Sequence, residues 1–286
     1  FLSSFPLTKE PGYLANKDSA ENGVRHLLLA STMEPVETGL LDLLEQAFFK
    51  VSGILVRHIA LGSGRALQIA REGRVDMVLT HAPKLEEDFM SEGWGKERIP
   101  LMTNAFVLIG PPADPAGLGN LGSGSDVVDA LQHIANKQAN FVSRADQSGT
   151  YLKELELWRV AEVKPEGKWY IRASGAAGNL GTLRLAMEKG AYTLVDHASF
   201  MISGAENKMD VFTGNSESTR EKKLLENVFS LILVSQEKVP SVQYEDSSTF
   251  ARWLKGKEAT EIISNFGREN FKQPFFSIPT TRTSVH

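Results

Sequence analysis

Three short apolar runs, each closed by a polar turn, do most to limit what this chain can fold into. His26 to Ala30 (HLLLA) reads as a buried strand that stops at Ser31-Thr32-Met33-Glu34-Pro35. Thr38 to Lys50 follows as an amphipathic helix with Leu40, Leu41, Leu44, Ala47 and Phe48 on one face. Ile54 to Leu61 is the next strand. It ends in Gly62-Ser63-Gly64-Arg65 before a second helix over Ala66–Arg71. Val75 to Thr80 is the third strand, closed by His81-Ala82-Pro83. Strand, helix, strand, helix, strand at this spacing demands a parallel sheet with helices on its faces, because parallel neighbours need a crossover. Ligands of such sheets bind at the carboxyl ends of the strands. Here those ends are Ser31–Glu34, Gly62–Arg65 and Thr80–His81.

The pattern recurs downstream. Ala105 to Gly110 (AFVLIG) is a strand, Ser125–Asn136 a helix, Trp169–Ile171 and Tyr192–Asp196 strands, and Leu183–Lys189 and Phe200–Gly204 helices. Small residues from Gly175 to Thr182 would let backbone approach a ligand or a neighbouring helix. Val228 to Ser235 (VFSLILVS) reads as a buried strand. Ser248–Gly267 reads as one amphipathic helix with Phe250, Trp253, Leu254, Ile262, Ile263 and Phe266 inward, followed by a solvated tail. Two α/β units joined by strands near 103–110 and 228–235 make two lobes, with the chain crossing twice and the last helix returning to the first lobe. The expected division is an extended arm over 1–23, a first lobe of 24–105 plus 228–286, and a second of 106–227. The cleft between them is the favoured ligand site.

The 286 residues suffice for two cores, and 42% hydrophobic with 23% charged residues is ordinary globular composition. A net charge of −4 offers no basic field, so nucleic acid is not an expected partner. The absence of cysteine excludes disulfides, thiolate metal sites and cysteine nucleophiles. No apolar run approaches the roughly 18 residues that span a bilayer. The chain begins at Phe1, as expected of a trimmed or processed form.

Catalytic motifs are missing. There is no G-x-S-x-G elbow, no P-loop and no H-E-x-x-H. The six histidines lie far apart without ligand spacing, so neither a metal nor a cofactor is expected. His81 and His197 each end a strand and so could face the cleft, although structural hydrogen bonding is the commoner role. Asp76 and Glu154 read as structural carboxylates. Gly117, Gly119 and Gly122 form a literal GxGxxG, but behind a proline-rich loop, and a solvated turn is the better reading.

The stretch with chemistry in it is Phe141–Glu154, FVSRADQSGTYLKE. An apolar strand end delivers Ser143, Arg144 and Asp146 to the start of a helix at Ser148-Gly149-Thr150. The first N–H groups of a helix lack internal partners and the macrodipole adds partial positive charge, so this arrangement can cradle an anion. Arg144 would add a full charge and a fork of donors, and Ser148 and Thr150 hydroxyls. An ordinary helix cap beside a solvated arginine is the alternative.

Together with His81–Gly95 (HAPKLEEDFMSEGWG) and Glu188–Phe200 (EKGAYTLVDHASF), Ser143–Trp158 resembles the tungstate/molybdate-type periplasmic substrate-binding proteins. The resemblance runs from about Arg25 to Phe200, and more weakly to Gly267. It implies the type II periplasmic-binding-protein fold, in which two mixed α/β domains are joined by two crossing strands. It also implies no catalytic activity, a tungstate- or molybdate-like anion as ligand, an ABC-type permease as partner, an extracytoplasmic location and a monomer.

In the family the oxyanion sits between a Thr-Thr-Thr-Ser loop and a Ser-Arg-Gly-Asp-x-Ser-Gly-Thr-His-x-x-Glu stretch. The second motif carries over as Ser143, Arg144, Asp146, Ser148, Gly149, Thr150 and Glu154, with Ala145 and Tyr151 as departures. Gly62, Ser63 and Gly64 match a further loop, with Arg65 where glutamine is usual. The first loop departs more, reading Ser31, Thr32, Met33 and Glu34. A carboxylate about 4 Å from a dianion costs several kcal/mol at an effective dielectric near 20. Glu34 therefore points away or pairs with Arg65, is protonated and donates to the ligand, or marks a changed ligand. The expected ligand-binding set is Ser31, Thr32, Glu34, Ser63, Gly64, Arg65, Arg144, Ser148, Gly149 and Thr150. A rival function is a sensor, or a protein for a metal cation or small organic molecule, with Glu34 in the site. An enzyme would have to draw on Glu34 and His81.

Overall fold

In the computed structural model, which describes residues 25–122, 124–173, 178–213 and 218–279, the first strand, β1 (Arg25–Ser31), leads through α1 (Met33–Glu37) and α2 (Leu40–Ser52) to β2 (Ile54–Ala60). Helix α3 (Ser63–Arg71) then returns the chain to β3 (Met77–Thr80). β1 pairs in parallel with both β2 and β3, the crossover arrangement expected from the apolar periodicity. Two of the boundaries that differ from expectation bear on the site. Ser31–Pro35 is not all loop, because Glu34 and Pro35 lie in the first turn of α1, where a proline forfeits no helical hydrogen bond. α3 begins at Ser63 rather than Ala66, so Ser63 and Gly64 belong to a helix start.

Helix α4 (Pro83–Ser91), unassigned in the sequence, opens with Pro83 in its first turn and leads to β4 (Gly95–Gly110), a strand of 16 residues. The chain then runs through α5 (Val127–Lys137), β5 (Phe141–Ser143), α6 (Gly149–Val160), β6 (Tyr170–Arg172) and α7 (Gly178–Lys189). It continues with β7 (Thr193–Asp196), α8 (His197–Ile202), β8 (Asp210–Val211) and α9 (Thr219–Leu225). β9 (Glu226–Val234) returns the chain, and α10 (Tyr244–Leu254), α11 (Lys257–Asn265) and α12 (Arg268–Phe271) complete it.

The main sheet has the order β2-β1-β3-β9-β4-β7, with β8 also on β4. β9 runs antiparallel between β3 and the first part of β4, while the last part of β4 pairs with β7 and β8. β4 and β9 are thus the two strands by which the chain crosses between lobes. Alternation along the strands divides each core by sheet face. Leu27, Leu29, Met77 and Leu79 pack with α2 and α10, whereas Ala30 and Val78 pack with α3 and Phe89 of α4. The second lobe does the same. Phe106, Leu108, Phe141 and Trp158 form one cluster, and Val107, Ile109, Val142 and Leu183 another.

Two expectations near the carboxyl end are corrected. The single helix over Ser248–Gly267 is two helices, broken at Lys255-Gly256, where a Cβ on Gly256 would lie 3.0 Å from the Trp253 carbonyl oxygen. The tail is not solvated as far as Ile278. Phe275 and Phe276 are buried in the first-lobe core, and Ser277 pairs with Thr103 of β4. The glycine motif at Gly117–Gly122 is a tight turn whose Leu118 and Gly119 N–H groups are held by the Asp114 carboxylate. Among the described residues no helix is long and apolar enough to cross a membrane. The expected arm over 1–23, the small residues at 175–177 and the last residues from 280 lie outside the described residues.

Candidate functional site

The starts of several helices meet where the lobes touch. From the first lobe come Thr32, which caps α1, and Gly62, which caps α3. From the second come Ser148, which caps α6, and Gly178 and Asn179 at the start of α7. Contacts across the boundary are close. The Gly64 N–H donates to the Gln147 carbonyl oxygen at 3.4 Å. A Cβ on Gly149 would fall 2.6 Å from His81 Nε2, and one on Gly178 would fall 3.1 Å from Glu37 Oε1. The lobes are therefore seen closed on one another, with positive helix ends facing inward from both sides.

The β5–α6 turn is built as its sequence suggests. Asp146 Oδ1 accepts the Ser148 N–H, and Ser148 Oγ accepts the Tyr151 N–H at 3.1 Å, capping α6. Ala145 adopts a left-handed φ of 50° to make this turn. Arg144 is buried. Its Nε and Nη2 bond to Asp146 Oδ2, and its Nη1 donates to Asn179 Oδ1 at 2.6 Å. A guanidinium has five N–H donors, so two remain beyond these three bonds. Ser143 does not point into the cleft. Its Oγ accepts the Ala145 N–H and is shared with the Tyr170 hydroxyl.

At three of these helix starts are buried polar atoms that find no hydrogen-bond partner: Thr32 Oγ1, Ser63 Oγ and Thr150 Oγ1. Each belongs to a residue at most 1% exposed and at the start of a helix. Orphaned buried hydroxyls are costly and rare in folded proteins, so three at one lobe boundary call for an explanation. Ser31 Oγ, by contrast, is satisfied locally by the Thr32 carbonyl.

Glu34 neither points outward nor pairs with Arg65. It is 1% exposed, its Oε1 accepts from Asn179 Nδ2 at 3.1 Å and lies 3.5 Å from His81 Nε2, and its Oε2 has no partner. Arg65 turns to the surface and pairs with Glu72, so it is not brought to the cluster. His81 does reach the cleft, whereas His197 lines a separate groove with Thr103 and Phe275. Asp76 is structural, accepting the Leu28 and Gln243 N–H groups. Glu154 is likewise internal to its lobe, accepting from the Tyr170 hydroxyl at 2.6 Å and from Trp158 Nε1. Burial pushes it up to about 7.

Residue-by-residue reading missed Asn179, Asp196 and Glu37. Asn179 is the hub, since its amide contacts Arg144, Glu34, Asp196 and Ser199. Asp196 is fully buried, and its carboxyl is raised by burial and by the neighbouring Glu34. Burial, then Glu34 and Asp196, push Glu37 up to about 7. The available signals were an asparagine in a glycine-rich helix start and an Asp-His pair at a strand end. Apart from the cleft, Asp42, Glu45 and His58 come together on α2 and edge strand β2, with His58 Nδ1 2.9 Å from Glu45 Oε1.

A family model described as a PBP superfamily domain matches residues 17–258. The chain belongs to the PBP superfamily. Within it, the chain is 34% identical over 251 residues to the tungstate-binding protein TupA of Peptoclostridium acidaminophilum, a match covering 88% of this chain and 85% of that one. The solved structure of the tungstate-binding protein TupA from Desulfovibrio alaskensis G20 matches with a TM-score of 0.73 at 32% identity, covering 90% of this chain and all of that one. That of the tungstate ABC transporter from Geobacter sulfurreducens matches with a TM-score of 0.73 at 35% identity, covering 84% of this chain and 98% of that one. This PBP superfamily member thus has the type II, two-lobed fold, and its unsatisfied buried hydroxyls lie where the lobes meet.

Proposed function

We propose that this chain is a solute-binding protein that closes on a small oxyanion of the tungstate and molybdate type. It would deliver the ion, outside the cytoplasm, to an ABC-type membrane permease. In this reading 24–105 with 228–286 form one lobe and 106–227 the other, and the protein acts as a monomer without turnover. The observation that carries it is the set of partnerless hydroxyls of Thr32, Ser63 and Thr150 at helix starts, together with the buried Arg144. Hydroxyls can all turn their protons to an acceptor-only ligand, and a tetrahedral oxyanion is one. Ser148, Gly149 and Gly64 bring helix-start backbone to the same boundary. Arg144, held in place by Asp146 and Asn179, supplies the counter-charge. Exclusion of water by closure strengthens each of these charged hydrogen bonds. The names of the tungstate-binding relatives support the choice of anion. Ser31 shapes the loop rather than touching the ligand, and Arg65 takes no part.

The test is titration calorimetry of ligand-stripped protein with tungstate, molybdate, sulfate and phosphate. Sub-micromolar tungstate or molybdate binding, more than about 8 kcal/mol, is expected, and Arg144→Ala should weaken it at least a hundredfold. No heat with any oxyanion would overturn the proposal. The partnerless Glu34 Oε2 and Glu37 Oε2 favour one second reading, a ligand with a cationic or donor group. A screen of metal cations and small amines on the same protein distinguishes the two.

A further inference from the structure

The oxyanion reading meets an electrostatic obstacle at its own site. Glu34 and Glu37 come from α1, Asp196 from the end of β7, and Asp146 from the β5–α6 turn. Against them stand the Arg144 guanidinium and the His81 imidazole. The other groups packed there, Asn179, Ser199, Asn104 and Asn227, do not titrate. A dianion entering this arrangement meets more negative than positive charge.

The hydrogen-bond chain behind His81 shows where a compensating proton goes. Asn104 Nδ2 donates to Asp196 Oδ1 at 3.1 Å, and Asn227 Nδ2 donates to Asn104 Oδ1 at 2.7 Å. This orientation leaves Asn227 Oδ1 as an acceptor, 2.8 Å from His81 Nδ1. Nδ1 must therefore carry a hydrogen, the assignment the network requires. In neutral histidine, Nε2 is then a lone pair, and it faces Glu34 Oε1 at 3.5 Å. Two acceptors face each other unless a proton joins the pair, whether as imidazolium beside carboxylate or as imidazole beside carboxylic acid. His81 is stacked on Phe229 with ring centroids 5.0 Å apart, and Gly149 closes over Nε2, so the ring is held against the carboxyl.

Resting on the oxyanion-receptor reading, we propose that closure on the dianion, which seals the Glu34–His81 pair beneath Gly149 and Asn179 of the other lobe, makes binding proton-coupled: each dianion enters with one proton, which the pair holds. Glu34 is then the residue that lets a carboxyl stand in the loop of a dianion receptor. The linkage sign is fixed. If the loaded protein holds one proton more than the free protein, affinity falls tenfold for each unit of rising pH while the free pair is unprotonated.

The experiment is calorimetric titration of wild-type protein with sodium tungstate at pH 7, 8 and 9, each in two buffers of different ionisation enthalpy. About one proton taken up per tungstate, with roughly tenfold weaker binding per pH unit above 7, is expected. Glu34→Gln should abolish the uptake and flatten the pH profile. His81→Gln, a second route to the same pair, should also flatten the profile. Tight tungstate binding without proton uptake and with constant affinity from pH 7 to 9 would overturn this inference alone. Absence of tungstate binding at every pH would overturn the receptor reading and this inference with it.

Discussion

At the scale of single residues, the boundary between the lobes depends on what is small as much as on what is charged. Gly149 lies in the first turn of α6, where alanine would ordinarily favour the helix. A Cβ there falls 2.6–2.8 Å from three atoms of the His81 ring, which is fixed by Asn227 and Phe229. Gly149→Ala should therefore leave the fold intact but oppose closure, weakening tungstate binding at least tenfold in calorimetry. Unchanged affinity would show that closure does not need this approach. Glu154 makes a prediction about stability instead. Burial raises its carboxyl to about 7 from an ordinary 4.5. The folded state then holds a proton the unfolded state has lost, and the associated stability is present at low pH and disappears as pH rises through 7. Glu154→Gln should escape this. Its stability relative to wild type should improve by about 2 kcal/mol between pH 5 and pH 8, read by urea denaturation. A constant difference would mean that Glu154 does not titrate in that window.

At the scale of elements, the helix starts carry most of the proposed function and the chain end carries unexpected stability. Ser148 caps α6 through the Tyr151 N–H. Ser148→Ala should cost about 1 kcal/mol in denaturant unfolding, apart from any effect on binding. The segment after α12 reads as a polar tail because it contains no apolar period long enough to signal a strand or helix. Yet Phe276 is 1% exposed, with its ring 5.7 Å from that of Phe229. Phe276→Ala should cost about 3–5 kcal/mol, where a solvated tail would cost under about 0.5 kcal/mol. Elements with a clear apolar period, β1, β2, β3, α2 and β9, were legible in advance. α4 and α9 were not, since nine and seven residues with mixed charge give too few turns to show a period. The break at Gly256 was hidden because the apolar positions on both sides keep the same spacing.

At the scale of the whole molecule, β4 and β9 belong to both lobes, so the lobes can change their relation by bending two strands rather than repacking two cores. The contacts at Gly149, Gly178 and Gly64 belong to a closed form. Small-angle scattering of ligand-stripped protein should give a larger radius of gyration than the tungstate-loaded protein. Saturation at a hundredfold excess over Kd should add about 2.7 kcal/mol to stability. Equal radii with and without a bound anion would indicate a pre-closed receptor.

The amino-acid sequence by itself determined the alternation of strands and helices, the two-lobed architecture that follows from it, and the turn at Arg144–Thr150, because each rests on local period or short-range spacing. Only the tertiary structure decided the direction and partners of Glu34, the turn of Arg65 towards Glu72, and the central place of Asn179. Glu34 and Asn179 are 145 positions apart. A hydrogen bond between such residues is set by how two cores pack across a shared boundary, and no local pattern in the chain encodes that.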